Sequence, residues 1–236
     1  MKNISVVIPT YNEEKRLPKT LAEVLGYLEK LNKGSEVIIS DGGSTDKTLQ
    51  EVAKLQKKSK VLIKVVKDKK REGKGEGVKK GILASSGQWV LFMDADNSTP
   101  ISEFEKLYRH RSDFDIVIGS RYAGVEIQVK QSFVRRLVSR SGSFLIRVLT
   151  GLRFADTQCG FKLFSSKSAQ KIFSRLKTKG WGFDVEVLLL AQKFGYKVKE
   201  VPVLWRDAKG SHLRAGRDGL NVLIEVIKLK RRMRKI

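Results

Sequence analysis

Short apolar runs alternate with helical patterns along the first half of the chain, and this alternation constrains the fold more than any other feature. Residues 4–8 (ISVVI) are rich in β-branched side chains, which is typical of a strand buried on both faces. Residues 17–31 then place leucine and valine at helical spacing. The same reading predicts strands at 36–40, 61–66, 89–93 and 115–119, and helices at about 46–56, 78–84 and 103–108. This order predicts an α/β fold with a mostly parallel central sheet flanked by helices.

Polar motifs follow three of the predicted strands at the points where those strands end. They are residues 9–14 (PTYNEE), 41–46 (DGGSTD) and 94–99 (DADNST). In open parallel sheets, ligands bind outside the carboxyl ends of the strands. The positions of these motifs therefore predict one functional site at that edge of the sheet.

Asp94-Ala95-Asp96 is the motif with the clearest chemistry. Two carboxylates one residue apart, in a loop at a strand end, can converge on one divalent cation. Mg²⁺ or Mn²⁺ prefers such oxygen ligands and keeps open positions for phosphate oxygens. The structural alternative is that Asp94 caps a turn and Asp96 is solvated. The position directly after a predicted strand favours the metal site.

Four other segments offer ligand-binding groups, each with a plain structural alternative. Asp41 would accept hydrogen bonds from a base or ribose, or would be an ordinary turn residue. Residues 9–13 offer a ligand an aromatic ring for stacking and a carboxylate. The structural alternative is a loop with a helix cap. Lys74 lies in a charged, glycine-bearing loop predicted over residues 67–77. Its glycines let a backbone approach a ligand closely, but the stretch is not a P-loop and by itself is more typical of a flexible surface loop. Arg121, at a strand end, is suited to clamp a phosphate or to form a surface salt bridge.

Two segments in the second half of the chain combine apolar and basic residues. Residues 133–152 interleave apolar side chains with four arginines, and residues 220–236 repeat that character. Such amphipathic basic helices are typical of a membrane surface. The alternatives are that the first packs in the core and that the second is solvated.

The charge of the chain points to an anionic partner. The formal net charge is +23, which fits nucleic acid, an anionic lipid surface or a phosphorylated substrate. No helix-turn-helix, zinc-finger or RNA-recognition motif is visible, so we expect no nucleic-acid partner and keep a nucleic-acid-binding module only as the alternative from another class. We find neither a signal peptide nor an apolar run of about 18 residues. The one cysteine, Cys159, suits a reducing compartment and is interpreted as a packing residue.

Several motifs together resemble the inverting family-2 glycosyltransferases with the GT-A fold. They are residues 6–14 (VVIPTYNEE), 40–44 (SDGGS), 94–96 (DAD) and 119–121 (GSR). Residues 156–164 (DTQCGFKLF) are more specific, and they resemble the dolichyl-phosphate glucosyltransferase branch, beside the polyprenyl-phosphate mannosyltransferases. Residues 180–186 (GWGFDVE) and 200–205 (EVPVLW) fit the same branch. The resemblance covers residues 3 to about 214.

The resemblance implies a reaction and a place for it. We expect metal-dependent, inverting transfer of a hexose from a nucleotide-sugar, best matched by UDP-glucose, to polyprenyl (dolichyl) phosphate. The enzyme would be cytoplasmic and peripheral, on the cytoplasmic face of a membrane with an anionic surface. The alternatives are a GDP-mannose donor, a non-lipid acceptor, or a noncatalytic relative that only binds nucleotide-sugars. The oligomeric state and the choice between Mg²⁺ and Mn²⁺ stay open.

The resemblance, together with the chemistry of the residues, assigns roles to individual positions. The residues assigned to the donor are Pro9, Tyr11, Glu13, Asp41, Lys74 and Ala95. The residues assigned to the metal are Asp94, Asp96 and, more weakly, Ser98, which stands where some relatives carry a stronger ligand. The residues assigned to the acceptor phosphate are Arg121, Arg135, Lys209 and Arg214. Asp94, Asp96 and Arg121 would carry the catalysis.

The chain departs from the family pattern at two further places. Gly42 replaces a second aspartate after the second strand, and His212 replaces a lysine often found in the late Gly-Ser-Lys-Leu segment. If that lysine binds phosphate, Lys209 or Arg214 must substitute for it. We expect one GT-A domain over residues 1–214, including an acceptor-side amphipathic segment at 130–153, followed by a basic amphipathic helix at 215–236.

Overall fold

The computed structural model describes residues 3–31, 34–122, 133–206 and 215–233. Seven strands form one sheet: β1 (Ile4–Thr10), β2 (Glu36–Asp41), β3 (Leu62–Lys67), β4 (Trp89–Met93), β5 (Ile116–Ser120), β6 (Phe161–Ser165) and β7 (Val198–Pro202). The α-helices are α1 (Leu17–Leu31), α2 (Thr48–Gln56), α3 (Lys74–Leu83), α4 (Phe104–Tyr108), α5 (Phe133–Thr150), α6 (Ser166–Arg175), α7 (Phe183–Lys193) and α8 (Ala215–Met233). A 3₁₀ turn, Ile101–Glu103, precedes α4.

The strands run in the order β3-β2-β1-β4-β6-β5-β7. All neighbouring strands are parallel except β6, which is antiparallel to both β4 and β5. The predicted α/β class with a mostly parallel sheet is therefore confirmed, and the five predicted strands lie within two residues of their observed ends. Strands β6 and β7 and helix α6 were not predicted, because these short elements carry mixed polar and apolar residues rather than clear buried runs.

Side chains from alternate positions of each strand enter two separate cores, one on each face of the sheet. In β1, Ile4, Val6 and Ile8 belong to the core that α1, α2 and α4 cover. Val7 belongs to the other core, which α3 and α5 to α8 cover. Helices on both faces explain why the central strands read as nearly continuous apolar runs.

Helix α3 begins at Lys74, four residues before the predicted start. The prediction of a loop over residues 67–77 was wrong for residues 74–77, which form the first turn of α3. Glycine has a low helix propensity, but tertiary contacts override it here. A Cβ at Gly75 would lie 2.5 Å from the carbonyl oxygen of Thr178, so this helix turn packs against neighbouring backbone too closely for any side chain. Lys74 is consequently held on a helix rather than on a surface loop.

Helices α5 and α8 pack against each other on the second face of the sheet. Val222, Val226 and Leu229 of α8 are buried in the second core, so this helix is more than a solvated tail. The two helices also leave large apolar side chains exposed: Phe144, Leu145, Val148, Ile224 and Ile227. None of the described helices is both long enough and apolar enough to cross a bilayer. The division of the chain at residue 214 stays a prediction.

Candidate active site

A cleft lies at the carboxyl ends of β1, β2 and β4, where the parallel-sheet rule places a ligand. It collects most of the residues assigned to the donor and the metal: Pro9, Tyr11, Glu13, Lys74, Asp94, Ala95 and Asp96. Three further assigned residues, Asp41, Ser98 and Arg121, are not among the residues that line it. Arg135 lies in α5, where its side chain is outside the described part of the chain, and Lys209 and Arg214 are outside the described residues.

Asp94 is placed by the loop that precedes β6. Its backbone N–H donates to the carbonyl of Gly160 at 3.1 Å. A Cβ at Gly160 would lie 1.9 Å from Oδ2 of Asp94, so only glycine leaves room for this carboxylate. The DTQCGFKLF motif therefore forms the support of the first DxD aspartate. The sequence analysis singled out both motifs but could not show that they touch.

Asp96 lies beside a basic residue that the sequence analysis missed. Its Oδ2 is 3.9 Å from Arg16, while its Oδ1 accepts the backbone N–H of Ser98 at 3.0 Å. The Nε of Arg16 donates to Glu13 at 2.7 Å, which fixes the guanidinium in the cleft wall. Burial acts to lower the pKa of Arg16, but Glu13, Asp96 and Asp94 outweigh it and the pKa is raised.

The two DxD carboxylates fit a divalent cation. Their side chains are 31% and 22% exposed, and both face the same cleft. Carboxylate oxygens are the donors that Mg²⁺ and Mn²⁺ prefer. Among the described residues there is no cluster of three histidine, cysteine, aspartate or glutamate side chains, so substrate or water oxygens would complete the shell. Ser98 contributes its backbone N–H to Asp96, and its assignment as a metal ligand stays a prediction.

Lys74 is the cation closest to the DxD motif. Its Nζ lies 2.7 Å from Oδ1 of Asp94 and 4.6 Å from the ring centroid of Trp181. Burial acts to lower the pKa of Lys74, but the carboxylates of Asp94, Asp184 and Asp96 raise it above its ordinary value. The ammonium is therefore charged and held at the base of the cleft, a suitable position for a diphosphate.

A second charge pair lies beneath the cleft. Lys162 of β6 donates to Asp184 of α7 at 2.6 Å, and both residues are buried. Burial raises the pKa of Asp184, although Lys162 and Lys74 act to lower it. The structure places Asp184, which lies in the GWGFDVE segment, as the counter-ion of Lys162.

Asp41 shapes the turn at the far end of the cleft. It is 1% exposed, and its Oδ2 accepts the backbone N–H groups of Gly43 at 3.2 Å and Ser44 at 3.0 Å. Nearby, the guanidinium of Arg71 lies 4.3 Å from the ring centroid of Tyr11. Both residues line the cleft at this end, and direct contact of Asp41 with a nucleotide stays a prediction.

Arg121 is held by Asp156 in a bidentate pair, with distances of 2.7 Å to Oδ2 and 2.9 Å to Oδ1. Asp156 is fully buried, and its backbone N–H is fixed by Glu200 at 2.7 Å. Burial acts to lower the pKa of Arg121, but Asp156 raises it. The fork of Arg121 is thus committed to a structural partner, and its contact with an acceptor phosphate stays a prediction.

Cys159 lies between these groups but has the environment of a packing residue. It is 1% exposed, and burial raises the pKa of its thiol to about 12. The nucleophilic form is the thiolate, which is scarce near neutral pH at such a pKa. The structure therefore agrees with its interpretation as a packing residue.

These features coincide with a family assignment from comparison with known proteins. The model of glycosyl transferase family 2 matches residues 5–173. The chain belongs to this family, and it is a glycosyltransferase. It is similar to dolichyl-phosphate β-glucosyltransferases from Dictyostelium discoideum (35% identity over 96% of this chain and 73% of that protein) and from Homo sapiens (39% over 90% and 70%). The enzyme of that name from Saccharomyces cerevisiae is 33% identical, over 95% of this chain and 73% of that one.

Solved structures support the GT-A fold. Glucosyl-3-phosphoglycerate synthase from Mycobacterium tuberculosis, in complex with phosphoglyceric acid, superposes with a TM-score of 0.70 at 23% identity, over 97% of this chain and 80% of that one. The same enzyme in complex with Mn²⁺, UDP and glucosyl-3-phosphoglycerate gives a TM-score of 0.67. At this identity the likeness shows the fold alone.

Proposed function

We propose that this glycosyltransferase moves glucose from UDP-glucose to dolichyl (polyprenyl) phosphate, with inversion at the anomeric carbon and with Mg²⁺ or Mn²⁺. The observation that carries the proposal is the contact between two motifs. The DTQCGFKLF segment, which resembles the dolichyl-phosphate glucosyltransferase branch, packs through Gly160 directly on Asp94. Three relatives that bear that name are similar over at least 90% of this chain.

The donor would lie along the cleft with its diphosphate at the DxD motif. Asp94 and Asp96 would hold the cation, which would act as a Lewis acid on the departing diphosphate. Lys74 and Arg16 add two fixed positive charges on the same wall. Tyr11 and Arg71 would receive the nucleotide at the other end.

The transfer needs little proton chemistry. A phosphate oxygen of the acceptor forms a bond to C1 of the sugar while the bond from C1 to the diphosphate oxygen breaks, and the electron pair leaves with UDP. Because the acceptor phosphate is already an anion near neutral pH, no proton has to be removed from it. Attack from the face opposite the leaving group inverts the anomeric configuration. The work of the protein is to position two anions and to screen their repulsion.

The acceptor would enter from the side of α5 and α8, at the cytoplasmic surface of a membrane. Phe144 and Val148 of α5 are 59% and 62% exposed, and Ile224 and Ile227 of α8 are 41% and 43% exposed. Apolar side chains next to lysine and arginine suit an anionic lipid interface. Arg121, Arg135, Lys209 and Arg214 are the proposed contacts for the acceptor phosphate.

A radiolabel assay tests the proposal. The purified protein is incubated with labelled UDP-glucose or GDP-mannose, with polyprenyl phosphate and with Mn²⁺ or Mg²⁺. We expect lipid-extractable label from UDP-glucose that is lost with EDTA and in Asp96→Ala. The exposed Asp113→Ala serves as the matched control and keeps full activity.

The other outcomes are equally informative. Label from GDP-mannose alone would identify GDP-mannose, and not UDP-glucose, as the donor. Label in a water-soluble product would point to a non-lipid acceptor. Donor binding without turnover would favour a noncatalytic relative. Strong, metal-independent binding of DNA without any transfer would favour a nucleic-acid-binding module.

A further inference from the structure

Helix α8 reaches the wall of the cleft through the carboxylate of Glu225. Its Oε2 accepts the backbone N–H of Gly182 at 2.7 Å. A Cβ at Gly180 would lie 2.0 Å from Oε1 of Glu225, and a Cβ at Gly182 would lie 2.8 Å from Oε2. The carboxylate therefore fills a space that these two glycines leave open. We call residues 178–182 the Trp181 turn.

The Trp181 turn is in equally close contact with the start of α3. The carbonyl of Lys179 accepts the N–H of Gly75 at 2.8 Å and that of Glu76 at 3.3 Å. A Cβ at Gly73 would lie 2.3 Å from the same carbonyl oxygen. Backbone meets backbone here without intervening side chains, so a displacement of the turn would be passed to the first residues of α3.

The first residue of α3 is Lys74, which belongs to the donor cleft. Its ammonium lies between the ring of Trp181, at 4.6 Å, and Oδ1 of Asp94, at 2.7 Å. Trp181 also lines the cleft. The contacts thus run without a break from Glu225 through the turn to Lys74 and to the DxD motif.

A second residue of α8 holds the beginning of the same turn. Arg232 forms an ion pair with Glu186, which is 2% exposed, and lies 3.3 Å from the hydroxyl of Thr178. Glu186 in turn accepts the backbone N–H of Thr178 at 2.7 Å. Helix α8 therefore contacts the Trp181 turn at both of its ends.

We propose that Glu225 is a positioning residue of the donor site. Its carboxylate holds the Trp181 turn against α3 and thereby keeps Lys74 beside Asp94. Glu225 itself touches no substrate, and it lies outside residues 5–173, which the family model matches. The identity of the donor rests on the proposed function, whereas the coupling between α8 and the cleft rests on the contacts alone. The helix that exposes Ile224 and Ile227 would thus also support nucleotide binding.

The test compares Glu225→Ala, Glu225→Gln and the control Lys228→Ala, which removes an exposed side chain from the same helix. UDP binding in the presence of Mn²⁺ is measured by calorimetry, and amide hydrogen exchange is measured on the full chain without lipid. We expect Glu225→Ala to weaken UDP binding about tenfold, which is about 1.4 kcal/mol. Exchange should quicken over residues 73–77 and 178–183 while β1 and β4 stay protected. Glu225→Gln should behave like wild type, because its amide oxygen still accepts from Gly182.

A double-mutant cycle with Gly180→Ala sharpens the test. The new methyl group would occupy the place of Oε1 and displace the carboxylate, so Gly180→Ala alone should reproduce the exchange change of Glu225→Ala. In the Glu225→Ala background the methyl group finds room, so the double variant should be no worse than Glu225→Ala. Such non-additivity is the signature of two residues in direct contact.

The proposal is overturned if Glu225→Ala leaves exchange over residues 178–183 unchanged. It is also overturned if exchange rises evenly over the whole sheet and the melting temperature falls, because that would indicate a general structural role. Additive effects in the cycle would contradict it as well. If the wild-type protein does not bind UDP, the proposed donor is wrong, and the exchange data still decide the role of Glu225.

Discussion

Carboxylates at the two ends of the parallel strands lie in opposite environments, one buried and one open to the cleft. At the amino end, Glu36 is buried, with a side chain 3% exposed, and its Oε1 accepts from Ser5 at 2.6 Å and from the backbone N–H of Ser86 at 2.7 Å. Its Oε2 lies 2.7 Å from Lys64. At the carboxyl end, Asp94 is 31% exposed, forms an ion pair with Lys74 at 2.7 Å and faces the open cleft. The carboxylate is buried among protein partners at one end and open to the cleft at the other.

This difference separates stability from function along one sheet. A buried carboxylate must have its hydrogen-bonding capacity filled by the protein, or burial costs free energy. A carboxylate that is to bind a cation must keep oxygens open to the cleft. Changes at the amino end should therefore affect folding, and changes at the carboxyl end should affect glucosyl transfer.

The largest effect is expected for removal of a DxD charge. Asp96→Asn and Asp94→Asn should each lower the rate of glucosyl transfer on the order of 10³-fold, because each removes a charge that is proposed to hold the cation at the departing diphosphate. The melting temperature should change little, since both side chains are partly exposed. Kinetics and thermal unfolding measured on the same samples check this, with Asp113→Asn as the control. Full activity in Asp96→Asn would contradict the metal assignment.

Gly160→Ala should cost somewhat less activity. The new methyl group would meet Oδ2 of Asp94 at 1.9 Å and force this carboxylate out of place. Misplacement of a catalytic group by about 1 Å can cost about 100-fold in rate. Gly142→Ala is the matched control, because nothing lies within 4 Å of its Cβ. Equal activities of the two variants would show that the loop before β6 does not position Asp94.

At the amino end, Glu36→Ala should lower the free energy of unfolding by about 1–3 kcal/mol, because buried partners lose their acceptor. The rate of transfer by the folded fraction should stay unchanged. Glu51→Ala provides the contrast, since Glu51 pairs with the exposed Lys54 and its removal should cost ~0.5 kcal/mol or less. Urea unfolding at pH 7 measures both variants. A loss of activity without a loss of stability in Glu36→Ala would contradict the claim that the amino end serves stability and the carboxyl end serves function.

The smallest expected effect concerns the pH dependence of the free energy of unfolding, to which Glu36 contributes. Burial acts to raise its pKa, but Lys64, Ser5 and Ser86 outweigh burial and the pKa lies below its ordinary value of 4.5. A carboxylate with a lowered pKa adds stability above its unfolded pKa and loses it as the pH falls through the folded pKa. The stability difference between wild type and Glu36→Gln should therefore be constant from pH 7 to about pH 5 and shrink below that. A difference that stays constant down to pH 3 would contradict this.

Much of the fold was predictable because its signals are local. The run ISVVI in β1 and the leucine spacing of α1 arise from periods of two and 3.6 residues that neighbouring residues carry. The start of α3 was not predictable in this way. Glycines at 73, 75 and 77 indicate a loop on propensity alone, and only the contact with the Trp181 turn explains a helix there.

The residues of the candidate site were likewise predictable only where their signal is local in the sequence. Asp94 and Asp96 could be found because a DxD motif directly after a buried strand is a local pattern with a known chemical use. Arg16 and Trp181 could not be found, because Asp96 lies far from Arg16 in sequence and Lys74 lies far from Trp181. The pairing of Arg121 with Asp156 was equally hidden, since 35 residues separate the two.

The sequence by itself therefore determined the α/β class, the helices around the central strands and the edge of the sheet where the chemistry lies. Only the tertiary structure decided that β6 runs antiparallel between β4 and β5, that Gly160 makes room for Asp94, and that Glu225 contacts the Trp181 turn. The physical reason is the distance along the sequence over which each kind of interaction acts. Periodicity and turn chemistry act over a few neighbouring residues, whereas close packing between distant segments depends on how the whole chain closes on itself.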